Sequence, residues 1–248
     1  MANDPAIDRA TAIPSSGDGD FRIACVLRHA CAVLYRNFWI FLPISAIAAS
    51  PNLIIFSNSY RNARFSPAYL LALFSLFVLG ALSQAVLLQA TLQDISGRPV
   101  LLGEALRNGL ERLLPIMGVA IATTLGCILG ALLLVVPALI LWVRWYVAVP
   151  VCVVEHLGPI RSIDRSQELT RGYRWQISGL CLLFLIFAVI VGTMSFRLLP
   201  APLAAIGIWV SISVASSFGA VVVILTFIEL RRAKEGIGEE QVAVFDRR

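Results

Sequence analysis

The sequence predicts an all-α fold: a polytopic membrane helix bundle of six transmembrane helices with three interfacial amphipathic helices. Leu113 to Val154 and Ile177 to Ile228 are apolar stretches of 42 and 52 residues, interrupted only by the charges Arg144 and Arg197. A bilayer core about 30 Å thick needs about 20 helical residues to cross it, so each stretch holds two crossings. Composition agrees. The chain is 58% hydrophobic and 14% charged, with a mean hydropathy of +0.84, where soluble domains carry about 25% charge.

Taken in order, the apolar runs give spans at Phe38–Phe56, Tyr69–Leu92, Leu113–Val136, Ala138–Val154, Ile177–Phe196 and Leu203–Ile228. Pro43 and Pro51 should kink the first span or end it early. Pro137 should part the third from the fourth, because proline lacks an amide donor and clashes with the preceding turn. The rival topology makes Leu113–Leu141 one helix and Val147–Val154 a re-entrant stub. Charge decides between them. Six spans put sixteen cations on the cytoplasmic side, against Arg61, Arg64 and Arg197 outside. Five spans would put eight inside and at least eleven outside. The positive-inside rule selects six, with both termini cytoplasmic.

Residues 1–20 are polar, and Asp4, Asp8, Asp18 and Asp20 argue against an organelle-targeting segment. They are expected to be disordered, ahead of a membrane domain at 21–232 and a polar tail at 233–248. Of the 20 cations 19 are arginine, giving a net charge of +5. Because they cluster beside apolar spans, they argue for anionic lipid and against nucleic acid.

Each pair of spans follows a short basic segment of helical amphipathicity. Before the first pair, Ile23, Val26, Leu27, Ala30, Val33 and Leu34 face away from Arg22, His29 and Arg36. Before the second, Pro99 suits a first turn, and Leu102, Leu106, Leu110 and Leu113 oppose Glu104, Arg107 and Glu111. Before the third, Pro159 opens a segment in which Ile160, Ile163 and Leu169 oppose Arg161, Asp164, Arg165, Glu168 and Arg171. Such helices lie in the headgroup plane with the apolar side down. Arg161, Arg165, Arg171 and Arg174 are the expected headgroup contacts.

Span three carries Gly118, Ala122, Gly126 and Gly130 at every fourth position, and span six carries Gly207, Ser211, Ala215 and Gly219. Between helices in lipid there is no hydrophobic drive, so such ridges supply close backbone packing. Packing within the chain is the expected use, and a seam between two copies is the alternative.

Chemistry-bearing residues are sparse. Arg144 lies about 10 Å below the outer face at 1.5 Å per residue. Beside Trp142, Trp145 and Tyr146 it is expected to snorkel outward to headgroups. The alternative is an anion or substrate contact inside the bundle. Gln84 and Gln89 are too distant in depth to be partners; even Gln84 is about 12 Å away. Cys25, His29 and Cys31 do not share one helical face and lack a carboxylate, so no metal site is expected. The five cysteines (with Cys127, Cys152 and Cys181) have no framework spacing. His156 beside Glu155 reads as a membrane-boundary pair. No nucleophile–base pair or phosphate-cradling loop is evident, so neither enzymatic activity nor a cofactor is expected.

Two segments carry a resemblance. One is Asp94-Ile95-Ser96-Gly97-Arg98-Pro99 running on to Glu104-Ala105-Leu106. The other runs from Val136-Pro137 through Arg144, Val149-Pro150, Glu155 and Gly158-Pro159, then from Arg165 to Gly172 and on to Trp175. With the order and spacing of spans, these make residues 21–232 similar to a bacterial family of uncharacterised six-span membrane proteins. The same region occurs as the membrane domain of some glycerophosphoryl diester phosphodiesterases. Ala138 and Gln167 depart from the family, where a glycine and an aromatic are commoner, and Gln167 should weaken anchoring of the third interfacial helix. The phosphodiesterase barrel and its metal site are absent from the sequence. The resemblance implies a multi-pass protein of the bacterial inner membrane, near lipid or envelope metabolism.

The expected function is a structural or accessory, lipid-contacting membrane module. Its partners would be membrane lipids, with a membrane protein or a second copy of the chain as protein partner. The alternative is a small-solute or lipid transporter or channel using Arg144.

Overall fold

The computed structural model of the chain describes residues 23–60, 66–97, 99–198 and 200–235, and every regular element among them is a helix. The tail at 1–20, most of the tail at 233–248, and Arg9, Arg22, Arg61, Arg64, Arg98, Arg247 and Arg248 lie outside the described residues. The helices are α1 (Ile23–Arg36), α2 (Phe38–Ala49), α3 (Pro51–Tyr60), α4 (Pro67–Ile95), α5 (Leu102–Glu111) and α6 (Leu113–Leu133). They continue as α7 (Val135–Arg144), α8 (Ala148–Val154), α9 (Pro159–Thr170), α10 (Arg174–Leu198) and α11 (Ala201–Glu235).

Six helical stretches are long and apolar enough to cross a membrane: Phe38–Phe56, Pro67–Ile95, Leu113–Leu133, Val136–Val154, Arg174–Ser195 and Leu203–Glu235. The prolines act where the sequence puts them. Pro43 is tolerated inside α2, and the first span breaks at Ser50, after which Pro51 opens α3. Pro67 occupies the first turn of α4, where the Ser66 hydroxyl accepts the Tyr69 amide at 3.2 Å. The third span ends at Leu133 because a continued helix would press the Pro137 ring against the carbonyl four residues back. Leu134 is extended (φ −171°, ψ 152°), and α7 restarts with Pro137 in its first turn, where no amide donor is needed.

Spans alternate in direction, so α1, α5 and α9 all gather at one end of the bundle, here the basal end. The core is concentrated toward it. Ala85 to Gln93 of α4 are buried without interruption, as are most residues from Val147 to Val154 and from Ala220 to Leu230. α11 is the hub, packing on α1, α2, α3, α4, α8, α9 and α10. At the opposite end Leu70, Leu71, Phe74, Leu132, Leu133 and Leu203 are exposed. An apolar perimeter of this kind suits lipid.

Small residues seat the short basal helices. α5 buries Ala105 and Gly109, and a Cβ on Gly109 would stand 3.1 Å from the Val86 side chain of α4. Its Leu102, Leu106 and Leu110 are each at least 42% exposed, and Leu102 and Leu106 border a recess against Ile44 of α2 and Leu82 of α4. Pro99 lies ahead of α5 rather than in its first turn, and the Leu101 amide donates to Gln93 Oε1 at 3.0 Å. α1 buries Val26, Ala30 and Val33 as its pattern predicts. α9 departs from expectation. Its buried face is Ser162, Ser166, Leu169 and Thr170, while Ile163 is half-buried and Ile160 is 75% exposed. Small hydroxyl residues can approach a neighbouring backbone and still bond, which larger aliphatic side chains cannot do.

Candidate functional site

The fourth span is discontinuous. α7 ends at Arg144, the chain turns through Trp145, Tyr146 and Val147, and α8 begins at Ala148. Such a break frees carbonyls that hydrocarbon cannot satisfy, so protein must do so. Here α9 does. The Ser166 hydroxyl donates to the Arg144 carbonyl at 2.9 Å and the Thr170 hydroxyl approaches it at 3.4 Å. The Arg144 guanidinium in turn donates to Gln167 Oε1. Arg144 therefore turns inward to α9 rather than snorkelling to the outer headgroups. Its half-buried side chain has this amide oxygen as acceptor within the chain. Its Nε is buried without a hydrogen-bond partner among the described residues.

Trp145 and Tyr146 are half-buried within the bundle. A Cβ added to Gly126 would collide with the Trp145 ring, so the third span keeps a glycine where the turn packs against it. The aromatics that do stand out at the basal end are Tyr35, Trp39 and Trp175, 89%, 86% and 88% exposed.

At the foot of this arrangement lies an ion-pair network. Arg165 of α9 reaches Glu155 at 3.3 Å, Glu168 at 3.4 Å and also Glu235 of α11. Arg231 bonds Glu235 at 3.0 Å, stands 3.8 Å from Glu155 and lies over the Phe227 ring. The Lys234 ammonium donates to the Glu168 carbonyl. Arg231 is only 5% exposed, and buried charges of this sort persist only when paired. Glu155 thus serves this network, while His156 faces Arg112 at 3.4 Å. A separate fork joins Arg36 to Asp94 through contacts of 3.0 and 2.5 Å, tying α1 to the end of α4.

The remaining sequence-selected residues fall in distinct places. Arg161, Arg171 and Arg174 are exposed at the basal end, whereas Arg165 is committed to carboxylates. On α6, Gly118 faces the Pro159 ring of α9, Gly126 faces Trp145, and Gly130 faces the Ala138 backbone of α7, where a Cβ would stand at 3.1 Å. Ala122 is half-buried between them. On α11, Gly207, Ser211, Ala215 and Gly219 are only half-buried, and a Cβ on Gly219 would meet nothing nearer than 4.0 Å. The tight face of α11 is another. Ser217 bonds Ser45 at 2.7 Å and the Phe41 carbonyl at 3.3 Å, and Trp209 Nε1 donates to the Ala46 carbonyl at 3.1 Å.

Between α4, the break, α10 and α11 lies a cavity of about 380 Å³, into which Gln84, Tyr146 and Ser216 look. Arg144 is not among its lining residues. Among the described residues no group of three or more His, Cys, Asp or Glu side chains is arranged to hold a metal ion. Sequence reasoning missed the bracing role of α9, although Ser162, Ser166 and Thr170 recur at four-residue spacing as the glycines of α6 do. Compared with family models, curated proteins and solved structures, the chain has no match.

Proposed function

We propose that this protein is a non-catalytic, lipid-contacting membrane module with both termini in the cytoplasm, α1, α5 and α9 lying at the cytoplasmic headgroup layer. The observation that carries this reading is the division of labour among its cations. Arg36, Arg144, Arg165 and Arg231 have partners inside the chain, while Arg161, Arg171 and Arg174 remain exposed beside Trp175 and Ile160. Exposed cations next to exposed aromatic and aliphatic groups fit an anionic membrane surface, where each cation is worth about 1 kcal/mol. The resemblance to the membrane domain of bacterial glycerophosphoryl diester phosphodiesterases points the same way, toward an inner-membrane module near lipid metabolism. Stability tests the reading. In neutral detergent, added phosphatidylglycerol should raise the unfolding temperature more than phosphatidylcholine, and the triple variant R161Q/R171Q/R174Q should lose the difference. Equal shifts from the two lipids would remove the proposal.

A second reading, a small-solute or lipid transporter, is favoured by one observation, the discontinuous fourth span beside a mid-depth cavity. It requires a pathway apart from Arg144, whose guanidinium is held by Gln167. Flux into proteoliposomes that depends on the protein would establish it over the first.

A further inference from the structure

We infer that Arg171, Arg174 and Lys234, gathered where α9 gives way to α10, form a site for the phosphate monoester head of a doubly charged lipid of the phosphatidic acid class. The inference rests on the headgroup-layer placement of α9 proposed above, and it names one headgroup chemistry for part of that surface.

Backbone geometry brings the three cations together. α9 ends at Thr170, and its last turn closes through the Arg171 amide, which donates to the Glu168 carbonyl at 3.3 Å. The Lys234 ammonium of α11 donates to that same carbonyl. The Tyr173 amide then bonds the Thr170 carbonyl at 3.1 Å, and Gly172 takes φ +102°, where only glycine sits without strain. This tight turn sets Arg174 at the first residue of α10, close behind Arg171. Lys234 stands within electrostatic reach of both arginines. Like charges held together in this way repel one another, so the cluster gains from an anion.

Charge balance decides which anion. Around the turn Arg165, Arg171, Arg174, Arg231 and Lys234 face three carboxylates, those of Glu155, Glu168 and Glu235. Arg165 and Arg231 already engage all three. Among the described residues neither the Arg171 nor the Arg174 guanidinium has a hydrogen-bond or ion-pair partner, and both residues are exposed. The surplus is two positive charges, and Arg161 with Asp164, earlier on α9, leave it unchanged. A phosphate monoester carries a charge of about −1.5 to −2 at pH 7 and three acceptor oxygens. It matches that surplus, whereas a phosphodiester such as phosphatidylglycerol brings a single charge and one fewer free oxygen. Guanidinium forks suit phosphate oxygens in pairs. α10 has no acidic residue in its first turn, so its opening amides add the positive end of the helix dipole.

Position makes the source a lipid. Arg174 is the first residue of the fifth span and Lys234 the last but one of the sixth, so the cluster lies where both spans meet the basal surface. Trp175 beside it is 88% exposed, and an indole at the membrane boundary sits at headgroup level. A head bound there leaves its chains alongside the spans.

Native mass spectrometry of the purified, delipidated full chain tests the inference, with an equimolar pair of phosphatidic acid and phosphatidylmethanol as probe. The two lipids differ by one methyl ester, which removes a charge and barely alters bulk. At about pH 8, above the second phosphate pKa of about 6, phosphatidic acid should be retained about tenfold in preference, the equivalent of about 1.4 kcal/mol. R171Q, R174Q and K234Q should each abolish most of that preference. K234R should keep it, which separates loss of charge from loss of fold, and R107Q, at an exposed cation of α5, should leave it intact. Glycerol phosphate in excess should leave the bound lipid in place; displacement would make the ligand a soluble phosphate ester and overturn the inference. So would a preference that emerges only in E239Q/E240Q, which would give the cluster to carboxylates of the chain's own C-terminal tail. Equal retention of the two probes, with phosphatidylglycerol still favoured over phosphatidylcholine, would strike this inference alone. Loss of both preferences would strike the surface reading with it.

Discussion

The hydroxyl of Ser166 donates to the main-chain carbonyl of Arg144 at 2.9 Å, across 22 residues of chain. This contact lets a membrane span break. The turn at Trp145 to Val147 leaves the Arg144 carbonyl outside the helical ladder, and an exposed carbonyl within hydrocarbon is costly. α9 folds back to meet it. The helix read from sequence as a headgroup float is thus also a brace, held through hydroxyls on one side and ion pairs on the other.

Removing the brace should be measurable. Ser166→Ala leaves the carbonyl with only the long contact from Thr170, and should destabilise the protein by about 1–2 kcal/mol. Ser178→Ala is the control, because its hydroxyl bonds the Trp175 carbonyl of its own helix on an exposed face. Thermal unfolding in one detergent compares them, and equal small effects would mean that α9 does not brace the break.

Glycines should divide by what faces them. Gly126→Ala pushes a methyl into the Trp145 ring and should cost about 1–3 kcal/mol by overpacking. Gly192→Ala in α10 meets nothing within 4 Å and should be neutral or stabilising, since alanine favours a helix by up to about 1 kcal/mol over glycine. Unfolding temperatures of the two variants check this. A neutral Gly126→Ala would place Trp145 elsewhere.

The basal network should prove sensitive in an ordered way. Arg231→Ala removes a cation that is 5% exposed and leaves Glu155 and Glu235 without it, for a loss of about 3–5 kcal/mol. Arg107→Ala breaks the 3.1 Å pair with Glu111 on an exposed surface and should cost under about 0.5 kcal/mol. Chemical denaturation of the purified variants would rank them, and a reversed order would mean that the network is not buried in the working protein.

The helical architecture was legible because its signals are local. Apolar run length placed six helices, and the backbone chemistry of Pro51 and Pro137 placed the breaks beside them to within a few residues. Gly126 and Gly130 were legible for the same reason, since a ridge of small residues states close packing whatever the partner. The partner itself was not. Pro150 marks the break, since its ring would press on the Tyr146 carbonyl of a continued helix, but nothing in the sequence distance from Arg144 to Gln167 says that those two residues meet across it. On α9 the sequence draws attention to Ile160, Ile163 and Leu169, of which only Leu169 is buried, and does not mark Ser162, Ser166 and Thr170 as the face that packs on protein. On α11, spacing drew attention to Gly207, Ser211, Ala215 and Gly219. The tight contact instead runs through Ser217, whose hydroxyl gains bonds to α2 that a glycine cannot make.

Topology is open to direct measurement. Reporters fused after Arg36, Arg112 or Arg174 should all report cytoplasm, and reporters near Arg64 or Pro200 the outside, following the sixteen-to-three division of cations. Opposite sides for Arg36 and Arg174 would break the six-span arrangement.

The position of α9 relative to the membrane follows from residues that the protein leaves uncovered. Ile160 is 75% exposed and the neighbouring Arg161 is also exposed, so packing within the chain would let a thiol react at either site. Only lipid would separate them. If α9 lies at the headgroup layer with its outward apolar side in the acyl boundary, Ile160 is covered by lipid and Arg161 is wet. With the native cysteines replaced by alanine or serine, Ile160→Cys and Arg161→Cys should differ in reaction with a membrane-impermeant maleimide applied to inside-out vesicles. Slow labelling at 160 with fast labelling at 161 is the expected outcome, and in lipid-free detergent treated with excess reagent the two rates should converge. Equally fast labelling in vesicles would put α9 in water. The contacts of Ser166, Gln167 and Thr170 with Arg144 would then hold it to the bundle near the break, and the headgroup role of Arg161, Arg171 and Arg174 would fall.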